Sequence, residues 1–194
     1  MAWDKGFNFR DSSGYVTDDA TETYVLADAY PTTRNGVTFG WTSGTVATAD
    51  RDNGNDRRLA GINYEGGAGQ AVFRIDLPNT GTFNISIAAG DAEFEQSGDQ
   101  QVQILDNSTL KATVADHCPA NSFLDALDTV YTAANWPANN DPLEVEFAST
   151  ICNIRIGNGT EYTTIAHVFV SEVEGGGGGT VPIFVNNLRR QGIS

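Results

Sequence analysis

The segment Asp50-Arg51-Asp52-Asn53-Gly54-Asn55-Asp56 arranges three carboxylates, Asp50, Asp52 and Asp56, around a glycine turn. An oxygen-rich loop of that kind wraps calcium. The pattern is partial, because the glutamate such a loop supplies at its twelfth position has no counterpart near Ile62 and Asn63. Arg51, Arg57 and Arg58 offer a competing use for the same carboxylates, a set of local ion pairs holding the loop on itself. A structural calcium and an ion-pair cluster therefore both stand as expectations. Farther along, Asn135, Trp136, Asn139, Asn140 and Asp141 combine a flat aromatic ring with amides and a carboxylate. Such groups suit a sugar, which offers C–H faces for stacking and hydroxyls for bridging. Trp136 beside Pro137 could equally anchor the loop to the body. Tyr64 and Tyr131 are lesser ligand candidates, since aromatics beside strands mostly cap the core, while Trp41 reads as core.

Catalytic chemistry finds little to work with. His117 and His167 are the only histidines. His167 falls in a strand pattern, where a packed or surface imidazole is the simpler reading. His117 adjoins Cys118, but neighbours in an extended segment point to opposite faces, so the adjacency argues against a dyad. No serine elbow, phosphate loop or dinucleotide fingerprint appears. Cys118 and Cys152 match no zinc spacing and are expected as free thiols.

The elements that must position these groups are strands. Thr, Val, Ile, Gly and Asn are abundant and helix formers sparse, which predicts an all-β body in one domain. Phe73, Ile75 and Leu77 alternate with Val72, Arg74 and Asp76; after Pro78-Asn79-Thr80-Gly81, Phe83, Ile85 and Ile87 repeat the pattern. This predicts a hairpin. The same alternation predicts strands at 23–27, 37–41, 101–105, 110–114, 128–132, 143–147, 151–156 and 163–173, with a turn at Asn35-Gly36 and a helical turn around 121–127. Two long loops, 48–63 and 133–142, are where binding would be built. Short strands between Gly, Asn, Asp and Pro clusters predict a two-sheet β-sandwich, a jelly roll rather than a meander.

Glycines Gly175 to Gly179 separate this body, 1–174, from an arm, 180–194. Such a run is a flexible hinge. All 25 acidic residues precede it, whereas the arm carries apolar Val181, Ile183, Phe184, Val185 and Leu188 with Arg189 and Arg190. That composition predicts partner binding, by docking on a neighbouring subunit in a homo-oligomer such as a trimer, or folding back as an edge strand. A net charge of −14 disfavours nucleic acid and anionic membrane as partners.

Taken in order, Phe7-Asn8-Phe9, Val37 to Gly44, Arg51-Asp52, Asp56-Arg57-Arg58, Phe73 to Asn79 and Gly90-Asp91 resemble a galactose-binding-like jelly-roll module. Modules of that family accompany rhamnogalacturonan-degrading and related polysaccharide-active enzymes as carbohydrate-binding accessories. The resemblance spans about residues 7–173 and departs at Asn79-Thr80-Gly81, one residue longer than the usual turn. It implies a glycan-binding, non-enzymatic domain. The amino terminus lacks an apolar secretory segment. Together with the hinge, this leads to the expectation of a bacteriophage virion protein, a capsid decoration or tail component assembled in the host cytoplasm and joined to other virion subunits by its arm. The alternative is an extracellular carbohydrate-binding module of a secreted enzyme.

Overall fold

The computed structural model describes residues 2–12, 21–51, 56–65, 69–96, 98–159 and 162–173. Asp52, the glycine hinge and every arm residue from Val181 to Arg190 lie outside them. Strands dominate: β1 (Asp4–Phe9), β2 (Glu22–Val25), β3 (Thr32–Arg34), β4 (Val37–Ser43) and β5 (Val46–Asp50) lead to a 3-10 turn, Arg57–Leu59. Next come β6 (Gly61–Glu65), β7 (Ala71–Asp76), β8 (Gly81–Asp91), β9 (Asp99–Asp106), β10 (Thr109–His117), β11 (Ser122–Leu124) and β12 (Val130–Thr132). A single helical turn, α1 (Trp136–Asn139), precedes β13 (Leu143–Phe147), β14 (Ile151–Ile156), β15 (Thr164–Ile165) and β16 (His167–Glu172).

Two sheets form the sandwich. One runs β12-β11-β8-β16-β1-β2, with β13 also on β8, and the other runs β10-β9-β14-β7-β4-β3. A small third sheet runs β15-β6-β5. The chain changes sheet at nearly every long connection: β7 lies in one, β8 in the other, β9 in the first again. These crossovers are jelly-roll connections. They also correct the predicted hairpin. β7 and β8 are not paired side by side; Phe73 and Ile75 on β7 face Phe83, Ile85 and Ile87 on β8 across the core. The period-two pattern fixes which face of each strand is apolar but not which sheet it joins.

The core is aromatic at its centre. Phe9 and Phe73 lie 5.0 Å apart and Phe7 and Phe39 5.4 Å apart, edge to face, with Trp41 5.3 Å from Phe73. Trp41 is core, as its strand position predicts. Burying each Phe contributes roughly 1.5–3 kcal/mol before the cost of ordering the chain. Cys118 and Cys152 are free and buried in this cluster, and burial pushes the Cys118 thiol up to about 12.

Three more expectations change. The segment 121–127 is strand β11 followed by a turn rather than helical, because Ser122 to Leu124 pair with Asp91 to Ala89 of β8. The supposed loop 48–63 is a hairpin at its ends, with Thr48 opposite Asn63. The strand predicted at 163–173 breaks at Ala166, whose N–H bonds Ala88 and whose carbonyl receives Phe9, so β15 joins the small sheet and β16 the large one.

Candidate functional site

A second apolar cluster, outside the sandwich core, decides the fate of the expected sugar loop. Leu59, Ile62, Ala88, Phe123, Ala166 and Trp136 pack together, with Tyr64 and Tyr131 partly buried against them. Trp136 is 0% exposed. Its Nε1 donates to the Ile87 carbonyl at 3.0 Å, its ring stands edge-on to His167 at 5.9 Å, and the Arg58 guanidinium lies 5.1 Å from its centroid. A ring enclosed in this way offers no face to a sugar. Trp136 is therefore the loop anchor, and stacking on it is excluded by burial. Around it Asn135, Asn139 and Asp141 are exposed and Asn140 is half-buried; Asn139 Nδ2 donates back to the Asn135 carbonyl at 2.8 Å.

The loop arginines divide their work. Arg58 donates to Asp56 at 2.7 Å and 3.0 Å, and Asp56 also accepts the Arg58 N–H at the start of the 3-10 turn. Burial alone would raise the Asp56 carboxyl, but these bonds outweigh it and hold it low. Asp50 accepts from the Asp11 N–H at 3.3 Å and Ser12 Oγ at 3.0 Å. Of the three carboxylates expected to bind calcium, the two described ones, Asp50 and Asp56, are thus occupied by protein donors. Among the described residues, which exclude Asp52, no group of three His, Cys, Asp or Glu side chains is arranged to hold a metal.

Arg51 reaches farther. Its Nε and Nη2 donate to the two oxygens of Asp91, each at 2.8 Å, and Asp91 is 1% exposed. Asp91 Oδ1 also accepts the N–H groups of Glu93 and Phe94, fixing the chain as it leaves β8. Above this fork sits Phe94, with Arg51 4.9 Å from its ring centroid. Phe94 is 56% exposed, and Tyr162, at the same end of the sandwich, is 47% exposed. Gln100 at the start of β9 ties the two segments together, bonding the Tyr162 carbonyl at 3.4 Å and the Thr164 N–H at 2.7 Å. Tyr64 lies opposite Thr164. Phe94 and Tyr162 are the most exposed aromatic side chains among the described residues, and no periodicity marks them. The one signal in the sequence is that both stand in short polar connections where a core has no use for an aromatic.

The two histidines each face a carboxylate. His167 is 1% exposed, with Nε2 3.1 Å from both oxygens of buried Glu22; Asn8 Nδ2 donates to the same carboxylate at 2.6 Å. Gly6 leaves the room this carboxylate fills. His117 points outward to Glu95 at 3.0 Å, while Cys118 points inward to the Ala89 carbonyl. The two are on opposite faces, as an extended segment requires.

No protein-family model matches the sequence, and no curated protein does. Solved structures do. A calcium-binding mutant of Bacteroides uniformis beta-glucuronidase 2 matches over 88% of this chain and 18% of its own, at 13% identity and a TM-score of 0.52. The fold is a jelly-roll β-sandwich. A family 35 carbohydrate binding module from Clostridium thermocellum covers 68% of this chain and 90% of its own, at 9% identity and a TM-score of 0.41. A carbohydrate binding module from Cellvibrio mixtus lichenase 5A, solved with cellotriose, covers 69% and 89%, at 11% identity and a TM-score of 0.36. This chain spans only 18% of the beta-glucuronidase chain it matches.

Proposed function

We propose that this chain is a carbohydrate-binding module that acts without catalysis of its own and holds glycan at the loop end of its jelly roll. The observation that carries the reading is the exposed Phe94 ring seated on an Arg51–Asp91 fork, with Tyr162 and Tyr64 at the same end. A flat ring held in place loses little freedom when a sugar stacks on it, so more of the contact energy appears as affinity. The likeness to part of a beta-glucuronidase supports an accessory role beside a polysaccharide-active enzyme, in an extracellular setting. Of the two functions expected from the sequence, it favours the binding module. The virion, capsid and rhamnogalacturonan associations gain no support from the fold or from these structures. The glycine run serves as a tether, and the apolar, basic arm as the part that docks on a neighbouring chain or domain.

A glycan array followed by calorimetry on the best hit tests this. Phe94→Ala weakens binding at least tenfold and leaves the unfolding midpoint unchanged, because the side chain is exposed. An array that stays blank with intact, folded protein sinks the reading; binding that survives Phe94→Ala moves the site elsewhere on the domain.

A further inference from the structure

Among the described residues β13 pairs with β8 and with no other strand. Its Val145 and Phe147 are buried, while Glu144 and Glu146 are exposed. The direction of its backbone groups follows from β8. There the Thr82 and Ala88 carbonyls receive the N–H groups of Val173 and Ala166 on the β16 side, whereas the Ile87 carbonyl receives Trp136 Nε1 on the other. Backbone groups alternate sides along a strand, so Gly81, Phe83 and Ile85 present theirs to β13. Their partners Phe147, Val145 and Leu143 face back toward β8. Glu144 and Glu146 therefore turn N–H and C=O outward, away from the sheet.

The opposite edge of the sheet is closed. On β2 the Glu22 and Tyr24 carbonyls accept Asn35 Nδ2 at 3.0 Å and Arg34 Nη1 at 2.9 Å. No such side chain among the described residues caps β13, and an open edge is a template for another strand. The arm, which lies outside the described residues, has the reach to fill it. Chain leaves β16 at Val173, bonded to Thr82, and Thr82 faces Glu146 on its other side. A strand outside β13 would stand three spacings from β16, roughly 14 Å. Nine residues, Glu174 to Pro182, join Val173 to Ile183, and nine extended residues span about 30 Å.

Direction, pattern and charge agree with that reach. β16 and β13 are both antiparallel to β8, so chain turning back from the end of β16 runs antiparallel to β13. We propose that Ile183 to Leu188 adds to β13 of its own body as a last antiparallel strand. With Ile183 opposite Phe147, Val185 falls opposite Val145 on the buried face. Phe184 and Asn186 then stand opposite Glu146 and Glu144 and bond their outward groups, whereas Pro182, which has no N–H to give, stays outside the pairing. The same register brings Arg189 level with Asp141, an exposed carboxylate. The inference rests on the reading of the arm as a docking segment, names the domain that carries it as the partner, and stands whether or not glycan binds at Phe94.

Amide hydrogen exchange of the full-length protein, read residue by residue, tests this against Val185→Asp, which puts a charge on the apolar face of the arm. The Glu144 and Glu146 amides exchange at least tenfold faster in the variant, while the Val145 amide, bonded to β8, keeps its rate and shows that the body is folded. Equal rates at Glu144 and Glu146 in parent and variant overturn the proposal. Protection lost elsewhere in the domain instead also overturns it, while leaving the arm a docking segment. A second measurement pairs Glu144→Cys with Asn186→Cys under mild oxidation, with the linked peptides mapped by mass spectrometry. A disulfide within one chain is the expected product; the same link formed between two chains places the arm on a second copy and overturns the assignment to its own body.

Discussion

Arg51 and Asp91, forty positions apart, meet through two parallel hydrogen bonds of 2.8 Å and lock the loop after β5 onto the end of β8. The carboxylate is buried and the guanidinium largely so. Geometry of this kind places one charge where it needs the other, and it sets the ring of Phe94 above the pair.

Arg51→Ala is expected to destabilise the protein by about 3 kcal/mol, because it leaves the Asp91 charge buried without its partner. Arg51→Lys recovers only part of this loss, since an ammonium cannot reproduce the two-pronged contact. Urea denaturation of both variants measures the difference. Glycan affinity of the folded fraction falls in both, as Phe94 loses its seat.

Trp136→Phe keeps the ring but removes the bond to the Ile87 carbonyl. A cost of roughly 1–3 kcal/mol follows from leaving that acceptor unpaired. Glycan affinity stays at the parent value, because the ring is enclosed. A Trp136→Phe protein that is stable but loses glycan would restore the stacking role that burial excludes.

Stability should fall in acid through Asp106. Burial alone would raise its carboxyl, but bonds from Ser149 Oγ and from the N–H groups of Ala148 and Ser149, with Lys111 nearby, hold it below its ordinary 3.8. The unfolded chain therefore takes up the proton first as pH drops. The contribution is complete above the ordinary carboxylate range and disappears as pH falls through the folded value. Denaturant midpoints between pH 7 and about pH 2, for the parent and Asp106→Asn, should converge at the acid end.

Gly90 sits at φ 154° with the Ser122 carbonyl against the place a Cβ would occupy. Gly90→Ala therefore displaces β11 from β8. The expected result is a loss of about 1–3 kcal/mol from overpacking and backbone strain. Faster amide exchange at Phe123 and Leu124 would report it.

The sequence by itself determined the fold class and most strand positions, because alternation writes the buried face of each strand directly into residue order. Leu143, Val145 and Phe147 against Glu144 and Glu146 show this plainly. It also determined that His117 and Cys118 cannot act as a pair. Which strands pair was decided only in three dimensions: β7 and β8 look like a hairpin in sequence and lie on opposite sides of the core, since a short connection can turn back or cross over. Residue type marked Trp136 as a binding group, whereas its environment made it an anchor; an indole with one satisfied N–H packs as well as it stacks. Phe94 and Tyr162 escaped notice because function at a loop end rests on exposure, which follows from what the rest of the chain leaves uncovered.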